Sequence, residues 1–153
     1  MRQLVYSSRA RDGCLANADL SEMLRTFQDH NAKTNVSGIL LYGYGRFLQL
    51  LEGKSDVVSD LYARIAVDAR HSDLRRLDIG FERQLFTGWP MAYAKVEPEH
   101  DMPGYVGKAP YLDLNLIDEA VISELLLYYS YRFAQGGASG PHPQELAPGL
   151  WAL

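Results

Sequence analysis

The stretch Gly38 to Gly53, G-I-L-L-Y-G-Y-G-R-F-L-Q-L-L-E-G, constrains the chain more than any other. Two apolar runs flank Tyr42-Gly43-Tyr44-Gly45, which reads as a hairpin of two mostly buried strands joined through a glycine-containing turn. Side chains alternate along a strand, so Phe47, Gln49 and Leu51 share one side, while Arg46, Leu48, Leu50 and Glu52 share the other. Gln49 is the misfit. An amide buried without partners costs about 1 to 3 kcal/mol, so something polar must meet it, protein or ligand, unless it lies at an edge and reaches water or backbone.

The rest of the chain supplies what the hairpin needs. Arg2 to Ser8 alternates Leu4, Tyr6, Ser8 with Gln3, Val5, Ser7 and reads as a first strand, with Arg9 to Gly13 as its polar exit. Asn17 is placed to cap a helix running to about His30, with Asp19 in its first turn. Leu20, Met23, Leu24 and Phe27 give that helix one apolar face. Asn31 to Val36 reads as a polar link into the hairpin. Ser55 is the expected cap of a second helix ending near Arg70-His71, with Val57, Val58, Leu61, Tyr62 and Ile65 as its buried stripe. Leu74 to Glu82 and Met91 to Val96 read as two further strands, separated by Arg83 to Pro90. The order β-α-β-β-α-β-β is a ferredoxin-like α+β pattern with both helices on one face of the sheet.

Two regions follow from composition. Residues 1–96 form the expected domain, and 97–153 a linker and C-terminal helical extension. Glu97 to Tyr111 is rich in Pro, Gly, His and acidic residues. Asn115 to about Ala134 reads as a helix apolar on more than one side, which must pack on the domain, a neighbouring helix or a second subunit. Gly136 to Pro143 breaks it, before an apolar tail ending Gly149-Leu150-Trp151-Ala152-Leu153.

Size and charge narrow the function. A chain of 153 residues suits one compact domain with a short appendage, without room for a separate enzymatic output domain. Lys plus Arg number 15 against 19 Asp plus Glu, for a net charge of −4, so no general attraction to nucleic acid or anionic membrane is implied. The single cysteine, Cys14, cannot form an internal disulfide, and no apolar run is long enough to span a membrane; both suit a soluble, cytoplasmic protein.

Enzyme signatures find little support. GxGxxG and P-loop patterns are absent. His30, His71, His100 and His142 lie far apart without metal-ligand spacing, so no metal is expected. No serine, nor Cys14, pairs with a histidine in a recognisable nucleophile arrangement. An acyl-phosphate or ester hydrolase on a ferredoxin-like scaffold is the alternative function; it would use Arg9 and Asn31, but lacks a glycine-rich phosphate cradle after the first strand.

Six motifs in order carry a resemblance: L-V-Y-S-S at Leu4 to Ser8, H-N at His30-Asn31, S-G-I-L-L-Y at Ser37 to Tyr42, F-L-Q-L-L-E-G at Phe47 to Gly53, D-A-R-H at Asp68 to His71, and W-P-M at Trp89 to Met91. Together they resemble the BLUF domain, the flavin-based blue-light sensor, in its short stand-alone form, over Met1 to Val96. The resemblance implies a flavin between the two helices, FAD or alternatively FMN or riboflavin, with Tyr6 and Gln49 as the photochemical pair and no enzymatic turnover. Asn31 and His30 match positions at the ring edge, and Met23 and Ile65 would pack on the two ring faces. Arg64, Asp68, Arg70 and His71 match positions holding the ring edge, ribityl chain or phosphate. Trp89 and Met91 match a signal relay at the start of the fifth strand. Simpler roles stand beside these: Met23 and Ile65 as helix-stripe residues, Arg64 as a solvated charge, Arg70 as a helix cap, Trp89 and Met91 as core. The resemblance also implies a downstream protein partner and a homo-oligomer, for which the apolar Leu125 to Phe133 surface is suited.

Overall fold

The computed structural model describes residues 1–11, 17–43, 45–95 and 119–136. The expectations for Cys14, the turn residue Tyr44, the 97–111 linker, the helix start at Asn115 and the C-terminal tail lie outside them. The strands are β1 (Arg2–Ala10), β2 (Ser37–Gly43), β3 (Arg46–Gly53), β4 (His71–Leu77) and β5 (Ala92–Lys95); the helices are α1 (Asn17–Thr34), α2 (Ser55–Ala66) and α3 (Glu119–Gly136). One five-stranded sheet has the order β4-β1-β3-β2-β5. Its first four strands are antiparallel, as in a ferredoxin-like sheet, and β5 adds beside β2 in parallel.

The hairpin lies at the heart of this sheet because both of its faces are covered. Leu4, Tyr6, Leu40, Phe47 and Leu51 pack with Leu20, Met23, Leu24, Val58, Leu61 and Ile65 of α1 and α2. On the reverse face, Val5, Ile39, Leu41, Leu48 and Leu50 pack with Ile122, Leu125, Leu126, Tyr129 and Phe133 of α3. A sheet buried on both sides needs continuous apolar strands, which is what I-L-L-Y and F-L-Q-L-L supply. The apolar stripe of α3 is therefore spent within the chain. Among the described residues of α3, Leu127 (42% exposed) and Tyr131 (64%) are the large apolar side chains that turn outward, so most of the Leu125 to Phe133 stretch is covered by the sheet.

Several boundaries differ from the expected ones. The Asn31–Thr34 turn is helical rather than a link, so α1 carries both His30 and Asn31. It stops where Asn35 enters the left-handed region (φ 57°) and the Val36 N–H reaches back to the Asn31 carbonyl at 2.9 Å, a Schellman closure. Ser55 is the first residue of α2 rather than its cap; Lys54 precedes it with no side-chain cap. The same helix ends at Ala66, short of Arg70-His71, because the Asp68 carboxylate takes the Arg70 N–H at 2.9 Å and turns the chain outward. Consequently His71 opens β4, which ends at Leu77 instead of running from Leu74 to Glu82. As an edge strand with a register shift opposite Ser7–Arg9 and Asp73 at φ 53°, β4 lacks the alternation that marks a half-buried strand.

Gly38 has a steric role. A Cβ there would sit 1.9 Å from the Leu50 carbonyl oxygen, so only glycine lets β2 approach β3 at this point.

Candidate functional site

Register decides the centre of the site. Tyr6 on β1 lies directly opposite Gln49 on β3, and Gln49 opposite Leu40 on β2, forming one row on the face under α1 and α2. Tyr6 and Gln49 are both buried, and the Tyr6 hydroxyl donates a hydrogen bond to Gln49 Oε1. The other end of the amide, Nε2, donates to the Met91 sulfur at 3.4 Å. The misfit amide thus has a phenol on one side and a thioether on the other. Burial, with smaller contributions from Tyr62 and Asp68, pushes the Tyr6 phenol well above its ordinary pKa. It is a neutral O–H donor throughout the physiological range.

Beside this pair a cleft opens between the helices, with about 290 Å³ of open space, solvent mouth included. Met23 and Phe27 of α1 line one wall and Ile65 of α2 another, while Tyr6, Leu40 and Phe47 come from the sheet and Asp68, Arg70 and His71 from the segment after α2. Arg70 forms an ion pair with Asp68 through Nε and Nη2, and its guanidinium lies 5.7 Å from the Phe27 ring centroid. That pairing lowers the Asp68 pKa and raises that of Arg70. His71 is buried at the cleft floor: its Nε2 meets the Ile65 carbonyl at 2.6 Å, and its Nδ1 meets the Ser8 hydroxyl at 2.9 Å. A carbonyl only accepts, so Nε2 carries a proton.

Asn31 is buried beneath α1, where its Nδ2 donates to the Pro90 carbonyl at 2.7 Å. One turn earlier, Gln28 Nε2 donates to the Met91 carbonyl at 3.2 Å. The two amides hold successive carbonyls of the segment that places Met91 under Gln49. Their acceptor oxygens, Asn31 Oδ1 and Gln28 Oε1, are buried without hydrogen-bond partners. Such orphan acceptors are costly in a dry interior and mark where a donor is needed.

His30 and Arg64 stand outside the cleft lining and hydrogen-bond to each other, joining α1 to α2. Trp89 is separated from the site. It packs on the reverse face of the sheet, its ring 4.8 Å from that of Phe133 in α3, whereas Met91 joins the helix-side core beside Gln49. Arg9 and Asn31, the pair a hydrolase would use, are not brought together: Arg9 is exposed and alternates away from Tyr6, Ser8 and the helix face.

Some site residues escaped the sequence reading. Phe27 follows Met23 by one helical turn, and Gln28 precedes Asn31 by one. Phe47 shares the parity of Gln49. Those spacings were available signals. The Ser8–His71 bond and the packing of Tyr62 on Tyr6, at 5.6 Å between ring centroids, had none.

Residues 1–92 match the sequence profile of BLUF, described as sensors of blue-light using FAD. The chain belongs to the BLUF family. As a BLUF protein it uses a flavin, FAD, as chromophore. It is 36% identical over 96 residues to photoactivated adenylate cyclase subunit beta of Euglena gracilis, covering 61% of this chain but 11% of that protein. It is also 35% identical over 74 residues to the blue light- and temperature-regulated antirepressor BluF of Escherichia coli, covering 48% of this chain and 18% of that protein. The chain thus spans only a small part of these relatives. Among solved structures, dark-state BlrB, a BLUF protein, superposes with a TM-score of 0.71 at 26% identity, covering 85% of this chain and 95% of that one. The photo-activated state of BlsA superposes at 0.68 with 25% identity, covering 81% and 90%.

The cleft fits such a group. Apolar walls from opposed helices suit the faces of a planar aromatic ring, and Arg70 and His71 bring polar N–H groups to its rim; the orphan acceptors of Asn31 and Gln28 are not part of that lining. Among the described residues, no group of His, Cys, Asp or Glu is arranged to hold a metal, and no helix is long and apolar enough to cross a membrane.

Proposed function

We propose that this chain is a blue-light photoreceptor in which Tyr6 and Gln49 convert absorption by the flavin into a new hydrogen-bond arrangement. The observation that carries this reading is the run Tyr6–Gln49–Met91 beside the cleft. Met23 and Ile65 flank the ring and Asp68, Arg70 and His71 hold its edge or tail, while His30 and Arg64, paired with each other outside that lining, tie the two helices together beside it.

Bound FAD supplies the absorber and, once excited, an oxidant able to take an electron and a proton from a phenol. Tyr6 holds the proton in question on its hydroxyl, because burial keeps the phenol neutral. Gln49 presents an acceptor to Tyr6 and a donor to Met91; rotating or tautomerising its amide changes what each neighbour meets. The Met91 thioether accepts weakly, so it holds that end lightly. Tyr6 would regain both its electron and its proton, leaving no net reaction.

Output is a population shift between dark and lit forms, read by a downstream protein through Met91, β5, Trp89 and α3. The Trp89–Phe133 contact supports that route. A homo-oligomer would meet through the outward side of α3, where Leu127 and Tyr131 are exposed. A cytoplasmic location suits the lone Cys14. The test is spectroscopic: purified protein is yellow, its flavin absorption moves to longer wavelength under blue light, and it recovers in darkness. A preparation that takes up no flavin overturns the reading.

A further inference from the structure

On the sheet face opposite the cleft, a carboxylate is buried that the photochemistry above does not use. Glu52 follows Gln49 by three residues in β3, so it points to the other side, and it is 0% exposed. Gln3 of β1 and Ser37 of β2 lie directly opposite it, giving a polar row across three strands at the end of an otherwise apolar face.

All of its partners are neutral donors. Oε1 accepts from Gln3 Nε2 at 2.9 Å and from the Leu85 N–H at 2.7 Å; Oε2 accepts from the Ser37 hydroxyl at 3.2 Å and from the Phe86 N–H at 2.9 Å. Each carboxylate oxygen thus receives two hydrogen bonds, which fixes the side chain in one orientation. The row binds further into the β4–β5 connection: Gln3 Oε1 accepts from the Phe81 N–H, Gln3 Nε2 also faces the Arg83 carbonyl, and Gln84 Nε2 donates to Ser37.

The connection held in this way touches both faces of the sheet. Phe86, buried, has its ring 6.1 Å from Phe133 of α3, and its carbonyl accepts from the Trp89 N–H at 2.9 Å. Trp89 packs on the same Phe133, and its carbonyl accepts from the Gly38 N–H at 3.1 Å. Two residues later Met91 meets Gln49. The segment from Leu85 to Met91 is therefore held twice by β3, at Glu52 on one face and at Gln49 on the other.

We propose that Glu52 is a positioning residue that couples β3 to α3, by fixing Leu85 and Phe86 so that movement at Met91 is passed to Phe133 instead of being absorbed in the loop. The proposal rests on the photoreceptor reading. Coupling of this kind needs a two-state element and a fixed reference against which it moves. Gln49 is the former and the carboxylate row provides the latter.

The test uses the full chain loaded with FAD and compares amide exchange in darkness and under blue light. Glu52→Gln keeps the side-chain shape but turns one acceptor into a donor facing donors. The expected result is an unchanged red shift, exchange at Leu85 and Phe86 faster by about tenfold in the dark, and a light-dependent change over 119–136 reduced at least several-fold. A light response in α3 equal to that of the parent protein overturns the proposal, as does loss of the red shift itself, which would place Glu52 in the photochemistry. If Glu52→Gln does not fold, Gln3→Met takes its place: it removes one donor to the carboxylate and the acceptor of the Phe81 N–H. It should weaken the α3 response in the same way, and a parental response there overturns the proposal. Absence of a red shift in the parent protein would instead overturn the photoreceptor reading.

Discussion

The Tyr6 hydroxyl donates to Gln49 Oε1, which commits the opposite end of the same amide to the Met91 sulfur. This relationship makes the two residues separable by substitution. Gln49→Leu should keep the flavin, because the cleft walls are untouched, yet lose the red shift. Tyr6→Phe should also bind flavin, at a stability cost of about 1 to 3 kcal/mol from the stranded Gln49 acceptor, without reaching the usual lit state. Absorption spectra before and after illumination decide both, and a normal photocycle in Gln49→Leu removes that residue from the mechanism.

Met91 combines packing with polarity. It is 0% exposed, so Met91→Ala should cost about 2 to 5 kcal/mol by opening a cavity, whereas Met91→Leu should cost under about 1.5 kcal/mol. Urea denaturation measures both. Equal losses would show that side-chain volume is not what Met91 contributes.

Arg70 offers the cleanest separation of tail from ring. Asp68 occupies its Nε and Nη2, and Nη1 carries two further N–H donors. If it serves phosphate, Arg70→Ala should weaken FAD and FMN about 10- to 100-fold and riboflavin by no more than about threefold. Equal losses for all three in a binding titration would assign Arg70 to the wall instead.

The His30–Arg64 contact predicts a dependence on pH. Arg64 donates to His30 Nε2, so the bond requires the neutral imidazole. Burial, then Arg64 and Lys33, lower the His30 pKa from 6.5. The protonated ring is thus disfavoured in the fold, and the contribution is complete above the unfolded value and lost as pH falls below it. Thermal midpoints of the parent protein should drop faster than those of His30→Gln as pH is lowered from about 6.5 toward 5. Parallel curves would show that the pair does not contribute. Asp68, held below the ordinary carboxylate range by Arg70, acts in a separate and more acidic window.

Gly38→Ala probes the sheet. With a Cβ 1.9 Å from the Leu50 carbonyl, β2 must move away from β3, and neither strand has room in a sheet covered on both faces. Loss of several kcal/mol or failure to fold is expected, by circular dichroism and denaturation. A stable, flavin-binding variant would disprove the close approach.

Side-chain parity along β1 and β3 was legible in the chain itself. It put Tyr6, Phe47, Gln49 and Leu51 on their proper faces, since a period of two is a property of the strand alone. The apolar stripes of α1 and α2 were equally legible, and the order of motifs carried the family. Helix ends were not, because they depended on local capping bonds that apolar spacing does not reveal: the Val36 N–H closing on Asn31, and Asp68 capturing the Arg70 N–H. The polar β4 strand was displaced for a related reason, as an edge strand needs only backbone pairing with β1 and leaves little pattern in its side chains.

The sequence by itself determined that Gln49 shares one side of its strand with Phe47 and Leu51, and Tyr6 one side of its own with Leu4 and Ser8, because both follow from local alternation. Tertiary structure alone decided that these two stand opposite each other, that Met91 and not Trp89 lies beneath the amide, and that α3 covers the other face of the sheet. Those are matters of register and packing between segments far apart in the chain. Their energies come from pairing that no local pattern encodes.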